Sequence, residues 1–286
     1  MLFLLQSRHT PSEPALRTRT KGSTMQTSIV IFTRVPKTGD TKTRLTTARG
    51  GILTDDEARM LYEGCLVDVI NVCIAAGCGE VKVCYNASGD RDCLEQLLAR
   101  SSDRSKIVEV YPDQGGSFDD CMQYAADHIL KAAPVAPEPA AVIIVGGDIP
   151  TLQPYIVQDA VKKLHDLAKA QPGGSALVEG ACQEGGFSLV GFTSSTPFDF
   201  NKVFYNMDGI TALDMLVAKA VDKKIPLAVV EAVPDVDIPV DLASMIPVVK
   251  ALRAASVYND AILVPEHTLQ VLDELGLEST ASPPQR

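Results

Sequence analysis

Apolar and polar positions along this chain alternate between two kinds of segment. Short runs rich in apolar and β-branched residues occupy 28–33, 81–85, 107–111 and 141–145, and the last has no internal alternation. All four read as strands, and 141–145 as one buried on both faces, the habit of a parallel sheet. Between them apolar residues recur at helical spacing. From Asp55 to Cys73 they are Ala58, Leu61, Tyr62, Cys65, Leu66, Val69, Ile70 and Cys73, a continuous stripe. Thr54 or Asp55 caps its start, and Gly77 with Gly79 marks its end. Shorter helices are predicted over 90–100 and from Ser117 to about Lys131. Another covers 154–168, with Ile156, Val157, Ala160, Val161, Leu164 and Leu167 on its buried side. Strands at 176–178 and 187–192 precede a helix over 211–221, a strand at 227–231 and a helix that begins in 235–242 and runs to Ala254. Strands alternating with helices specify an α/β fold with a mostly parallel sheet and helices on both faces. The passage through Gly185 and Gly186 has no helix, which predicts one antiparallel strand.

The ends differ from the middle. Residues 1–24 are polar after a short Leu/Phe start and read as a disordered leader, or as a start placed ahead of Met25. The main domain spans 25–257. Residues 258–286 form an extension with one short helix near 268–275 and a loose tail, and the Pro/Ala stretch 133–140 reads as a surface connection. The 286 residues carry a formal charge of −10 with no basic run, which argues against nucleic acid as a partner. None of the seven cysteines forms a C-x-x-C pair. They read as reduced residues of a cytoplasmic protein rather than a disulfide frame or zinc site. No apolar run approaches the ~18 residues of a membrane span. Oligomeric state is not written in the sequence.

Four polar islands interrupt the apolar segments. The first follows the first strand and gathers Arg34, Lys37, Lys42 and Arg44 among threonines and Gly39. Backbone amides at a strand-to-helix turn, reinforced by Lys and Arg, bind phosphate; the bland alternative is a solvated charged loop. The stretch is neither G-x-G-x-x-G nor G-x-x-x-x-G-K-[ST], which disfavours a dinucleotide-binding dehydrogenase and a P-loop NTPase. The second island is Gly146-Gly147-Asp148 at the end of the 141–145 strand. In open α/β sheets ligands bind at the carboxyl ends of strands, so Asp148 is a candidate catalytic and metal-binding carboxylate, or else a turn residue. The two glycines free the backbone for a nucleotide. The third is Asp235-x-Asp237, where Asp237 is either a metal ligand or a helix N-cap followed by Pro239 and Asp241. One Mg²⁺ or Mn²⁺ ion bridging phosphates typically uses only one or two protein carboxylates, and Asp148 with Asp237 would supply them. The fourth is Gln183-Glu184-Gly185-Gly186, in which Glu184 binds acceptor hydroxyls, acts as a base, or only makes a turn. The four histidines are scattered over tail and helices, and no Ser/His/Asp or Cys/His arrangement is readable.

With these stretches in view the chain resembles a bacterial family of the glycosyltransferase-A fold, long catalogued as a domain of unknown function, that includes arsenosugar-biosynthesis glycosyltransferases. The resemblance covers roughly 28–252. Its strongest piece is the run from Phe32 to Leu45, similar to F-x-[KR]-x-P-x-x-G-x-x-K-T-R-L. Gly146-Gly-Asp148-Ile-Pro150 is similar to G-T-D-C-P, Glu184-Gly-Gly-Phe187 to D-G-G-Y, and Asp235-Val-Asp237-Ile-Pro239-Val-Asp241-Leu242 to D-V-D-T-P-x-D-L. Phospholactate guanylyltransferase and the molybdenum-cofactor guanylyl- and cytidylyltransferases share the fold. The resemblance implies Asp148 and Asp237 on the metal and Lys37, Lys42 and Arg44 on the nucleotide's phosphates. Gly147 and Ile149 stand where the family has Thr and Cys, Glu184 where it has Asp, and no W-S-T stretch occurs near 205–209. The expectation is a metal-dependent glycosyltransferase with a nucleotide-sugar donor and a small-molecule acceptor. The alternatives are a nucleotidyltransferase that moves NMP from an NTP to a phosphorylated acceptor, and a non-catalytic nucleotide-binding protein.

Overall fold

The computed structural model describes residues 25–133, 139–204, 206 and 208–279. The leader expected at 1–24, most of the connection at 133–140, the tail beyond 279, and Tyr205 and Met207 lie outside the described residues. Seven strands form one sheet: β1 (Thr27–Thr33), β2 (Glu80–Tyr85), β3 (Ile107–Pro112), β4 (Ala141–Gly146), β5 (Leu177–Ala181), β6 (Phe187–Thr193) and β7 (Leu227–Val229), in the order β3-β2-β1-β4-β6-β5-β7. Every pairing is parallel except those of β6, which runs antiparallel to β4 and to β5. The single antiparallel strand is the one expected. β7 is shorter than its apolar run because it is an edge that pairs only with β5; Val230 and Val233 still donate to Glu179 and Ala181, with wider spacing.

Alternate residues of the central strands enter different cores, as the pleat requires. Ile29, Ile31, Val81, Val83, Ile143 and Val145 face α1 (Asp55–Ala76), α2 (Arg91–Leu98) and α4 (Pro154–Ala170). Val30, Cys84, Val142 and Ile144 face α3 (Phe118–Ala132) and α5 (Ala212–Asp222). A third cluster lies outside α1: its Ala58, Leu61 and Cys65 pack with Leu242, Met245 and Ile246 of α6 (Pro239–Ser256) and Leu269 and Leu272 of α7 (Glu266–Glu274). α1 is therefore apolar on two sides because it is covered on two sides. Within it Asp68 is 4% exposed and accepts the Thr268 N–H at 2.7 Å and the His267 N–H at 3.2 Å, closing the start of α7. Pro247 lies inside α6 and cannot donate to the carbonyl four residues back. That carbonyl, of Ala243, accepts the Ser279 hydroxyl at 2.7 Å instead.

This order places the functional end. β1 leads outward to β2 and β4 lies on its other side, so strand order reverses between β1 and β4, where open α/β sheets leave a crevice. Phe32 pairs with Gly146 across that line, so both strands end level. None of the described helices is long and apolar enough to cross a membrane.

Candidate functional site

The basic stretch leaves β1 as a tightly tied loop. The Lys37 carbonyl accepts the N–H groups of Asp40 and Thr41 at 3.1 Å, and the Lys37 N–H donates to the Thr41 hydroxyl at 2.8 Å. These amides, expected to be open to phosphate, are committed within the loop. The loop then passes Lys42, held at left-handed φ 49, into a single 3-10 turn over Thr43–Leu45. Leu45 and Leu53 are each 1% exposed in the third cluster and anchor this segment. Burying two leucines contributes roughly 1.5–3 kcal/mol each. At Gly51 any Cβ would fall 2.0 Å from the Leu45 carbonyl oxygen, so only glycine closes the loop.

Lys42 reaches the centre of the cleft. Its Nζ lies 2.6 Å from Asp148 Oδ2 and 2.5 Å from Asp237 Oδ1, with the side chain 11% exposed. Burial alone would lower its pKa, but Asp148 and Asp237 outweigh burial and hold the ammonium well above the ordinary lysine range. The ring of Tyr62 lies 5.5 Å from the same nitrogen. Burial and the charge of Asp148 push the Tyr62 phenol up to about 12, so it stays protonated. Its oxygen is 2.7 Å from the Thr33 hydroxyl. Arg44 approaches the other oxygen of Asp237 at 3.7 Å, and Arg34 lies 3.8 Å from Asp40.

Backbone bonds bring the two carboxylates together. The Val236 N–H donates to the Asp148 carbonyl at 3.1 Å, so the 235–237 segment lies along the end of β4. Gln183 clamps that segment: its Oε1 accepts the Asp235 N–H at 3.0 Å, and its Nε2 donates to the Asp235 carbonyl at 3.2 Å and to Asp241 at 3.4 Å. Asp241 Oδ2 accepts the N–H groups of Asp237 and Ile238, at 3.0 and 2.9 Å. Asp241, not Asp237, therefore caps α6, which leaves the Asp237 carboxylate to the cleft. Asp235 is the third acid here: burial, then Asp148 and Asp237, push its carboxyl up to about 6.

These groups line a cleft of about 680 Å³ with two unlike halves. One holds Arg34, Lys42, Arg44, Asp148, Asp235 and Asp237; the other is walled by Phe32, Phe118, Met122, Phe187, Val190 and Phe204. Phe118 is 41% exposed and stands edge-on to Phe32 at 5.5 Å and to Phe204 at 4.5 Å. Gly146 and Gly147 form the floor between the halves. A Cβ on Gly147 would lie 2.9 Å from Leu66, 3.1 Å from the Tyr62 hydroxyl and 3.2 Å from the Thr33 hydroxyl. That accounts for glycine where the related family has threonine.

The structure thus gathers Arg34, Lys42, Arg44, Gly146, Gly147, Asp148 and Asp237 in one cleft. Lys37 and Glu184 are exposed and outside its lining; Glu184 turns the chain at φ 56. In that island Gln183 makes the contacts. The aromatic wall was not read from the sequence, because its members come from separate elements and meet only once the sheet is assembled. Tyr62 was legible only as one apolar position of a helical stripe.

A divalent cation fits the acids present: two carboxylate oxygens already converge on one cationic nitrogen, and hard oxygen donors suit Mg²⁺ or Mn²⁺. Among the described residues no group of three or more His, Cys, Asp or Glu is able to hold a metal by itself.

A seven-stranded sheet with this cleft at its switch point defines the class. The chain has the nucleotide-diphospho-sugar transferase fold. A candidate nucleotide-diphospho-sugar transferase from Desulfovibrio desulfuricans G20 superposes with a TM-score of 0.65 at 22% identity, over 88% of this chain and 97% of that one. A cytidylyltransferase from Leptospira borgpetersenii serovar Hardjo-bovis (strain JB197) does so with a TM-score of 0.50 at 15% identity, over 92% and 100%. At these identities the likeness is one of fold. In sequence, residues 69–207 match the family described as "Uncharacterized protein conserved in bacteria (DUF2064)", as the motifs lead one to expect. The matched span contains Asp148 but neither the basic loop nor Asp237. No curated protein matches the chain.

Proposed function

We propose that this chain is a glycosyltransferase that uses a nucleotide-diphospho-sugar donor and a neutral small-molecule acceptor. The observation that carries the reading is the division of charge in the cleft. Among the described residues that line it, every cation (Arg34, Lys42 and Arg44) belongs to the loop after β1, while the facing wall is aromatic and aliphatic. A phosphorylated acceptor calls for a second set of cations, since unpaired phosphate is costly to desolvate. A sugar or other neutral acceptor presents apolar faces that aromatic rings take up.

On this reading Arg34, Lys42 and Arg44 bind the donor's diphosphate and fix its orientation. Asp148 and Asp237 would hold a divalent cation, which when bound neutralises charge on the leaving diphosphate. Tyr62, Gly147 and Thr33 close the floor against water. Charge-assisted bonds from the loop strengthen as negative charge collects on the leaving group, and that difference lowers the barrier.

The test is binding and turnover of UDP- and GDP-sugars and of the four NTPs with Mn²⁺. Preferential binding of a nucleotide-sugar, with slow Mn²⁺-dependent release of nucleoside diphosphate, supports the reading. Preference for an NTP, with pyrophosphate released, would replace it by nucleotidyl transfer. Binding that needs no metal and survives both Asp148→Asn and Asp237→Asn would leave a non-catalytic nucleotide-binding protein.

A further inference from the structure

The cleft already contains a cation of its own. Nζ of Lys42 sits between Asp148 and Asp237, on the two oxygens that a divalent ion would take. An ammonium hydrogen-bonded to both carboxylates and a metal ion coordinated by both are mutually exclusive, and two cations that close repel. We propose that Lys42 is a built-in competitor for the divalent cation: it holds the carboxylate pair in the nucleotide-free protein and moves to the phosphates when nucleotide arrives, so that cation and nucleotide are taken up together. The proposal rests on the reading of this cleft as a metal-dependent nucleotide site and adds its order of assembly.

Three features of the cleft lead there. The ammonium is well held, by two carboxylates and by the face of Tyr62 at 5.5 Å, so a metal ion alone must displace a charge-assisted pair. The protein offers the metal too little in return: among the described residues no set of three or more His, Cys, Asp or Glu is able to hold it. Mg²⁺ and Mn²⁺ prefer six oxygens and commonly draw several from phosphate and water. Nucleotide supplies both missing parts, oxygens for the metal and an anion for the lysine. Finally, Lys42 is placed to move. It carries a flexible four-carbon stem on the same loop as Arg34 and Arg44, which line the same cleft. Its left-handed backbone, φ 49, is one that a residue with a Cβ adopts reluctantly.

Electron paramagnetic resonance of free Mn²⁺, without nucleotide, reads the competition directly. The wild type should take up no Mn²⁺ at concentrations where Lys42→Met binds one ion. The variant's affinity should be higher by on the order of ten- to a hundredfold, the range of typical coupling between sites. Adding Asp148→Asn to Lys42→Met should abolish the gained site. Equal Mn²⁺ affinity in wild type and Lys42→Met overturns the proposal. A second measurement needs no variant. The Lys42 ammonium, observed by ¹⁵N NMR of the wild type, should be unmoved by Mg²⁺ alone and shifted by UDP or GDP with Mg²⁺. A shift on Mg²⁺ alone, or none when nucleotide binds, overturns the competition while leaving the nucleotide site standing. Failure of UDP and GDP to bind at all overturns the reading beneath it.

Discussion

Asp241 and Asp237 exchange the roles that their positions suggest. Asp237 precedes a proline-started helix and looks like its cap, yet the capping bonds come from Asp241. Asp241→Ala should therefore cost about 1–2 kcal/mol, the usual loss of a cap. It should also weaken Mn²⁺-dependent nucleotide binding, because Asp237 loses the bond that fixes its backbone; urea unfolding and calorimetry measure the two effects. Gly147→Thr should destabilise by about 1–3 kcal/mol, as overpacking does, since Leu66, Tyr62 and Thr33 all crowd the new Cβ. Its check is the same urea midpoint. Asp68 gives a prediction with pH. Burial pushes its carboxyl up from 3.8 to about 6, against the pull of the Thr268 and His267 N–H groups. The folded protein then binds this proton more tightly than the unfolded chain. Asp68's contribution is full below the unfolded value and is lost as pH rises through about 6. Wild-type stability relative to Asp68→Asn should fall from pH 4 to about 6 and level off above it. No change over that range would place the carboxyl in a solvated setting, and a rise would place it beside a cation. At this scale the sequence disclosed the carboxylates and the basic loop but not their pairing. Lys42 and Asp237 stand 195 positions apart, and no local pattern records a contact of that reach.

The strands and helices were more legible than the contacts, since each long apolar run or stripe became a strand or helix of the expected kind. The short 3-10 turns at Thr43–Leu45, Thr47–Arg49, Arg104–Lys106 and Gln183–Gly185 were not read, because a three-residue turn has no periodicity to show. Glu184 was weighed as a base for its charge, whereas Gln183 holds the site by its shape, one amide bonding three partners. α6 offers a test confined to one element. Pro247 strands the Ala243 carbonyl, and Ser279 satisfies it. Ser279→Ala should cost up to about 1 kcal/mol in the wild type. In a Pro247→Ala background the helix supplies its own donor, so the same change should cost nothing. A double-mutant cycle by thermal or urea unfolding reads the coupling, and equal losses in both backgrounds would mean that the hydroxyl does not stand in for the N–H that Pro247 lacks.

Across the whole molecule, the cleft is a meeting of parts rather than a motif. Loop cations from the end of β1 face acids from the ends of β4 and β7, and rings from α3, β6 and its neighbouring loop close the far side. The third cluster holds the loop in place. Deleting residues from Pro265 onward removes Leu269, Val271 and Leu272, each nearly fully buried. The loss should be on the order of 5 kcal/mol at about 1.5–3 kcal/mol per side chain, and nucleotide affinity should fall with it as Leu45 and Leu53 lose their cover. Unfolding and nucleotide titration of the truncated chain check both. The same packing also bears on how the protein is made. Asp68 and its partner Thr268 are separated by 200 positions, and Leu269 and Leu272 beside Leu45 and Leu53 arrive equally late. At roughly 5–20 residues per second, a ribosome completes the sheet's first strands on the order of ten seconds or more before the residues that pin the basic loop exist. A nascent chain would thus hold its first strands well before its cleft, which closes only when one of the last helices to be synthesised docks on one of the first.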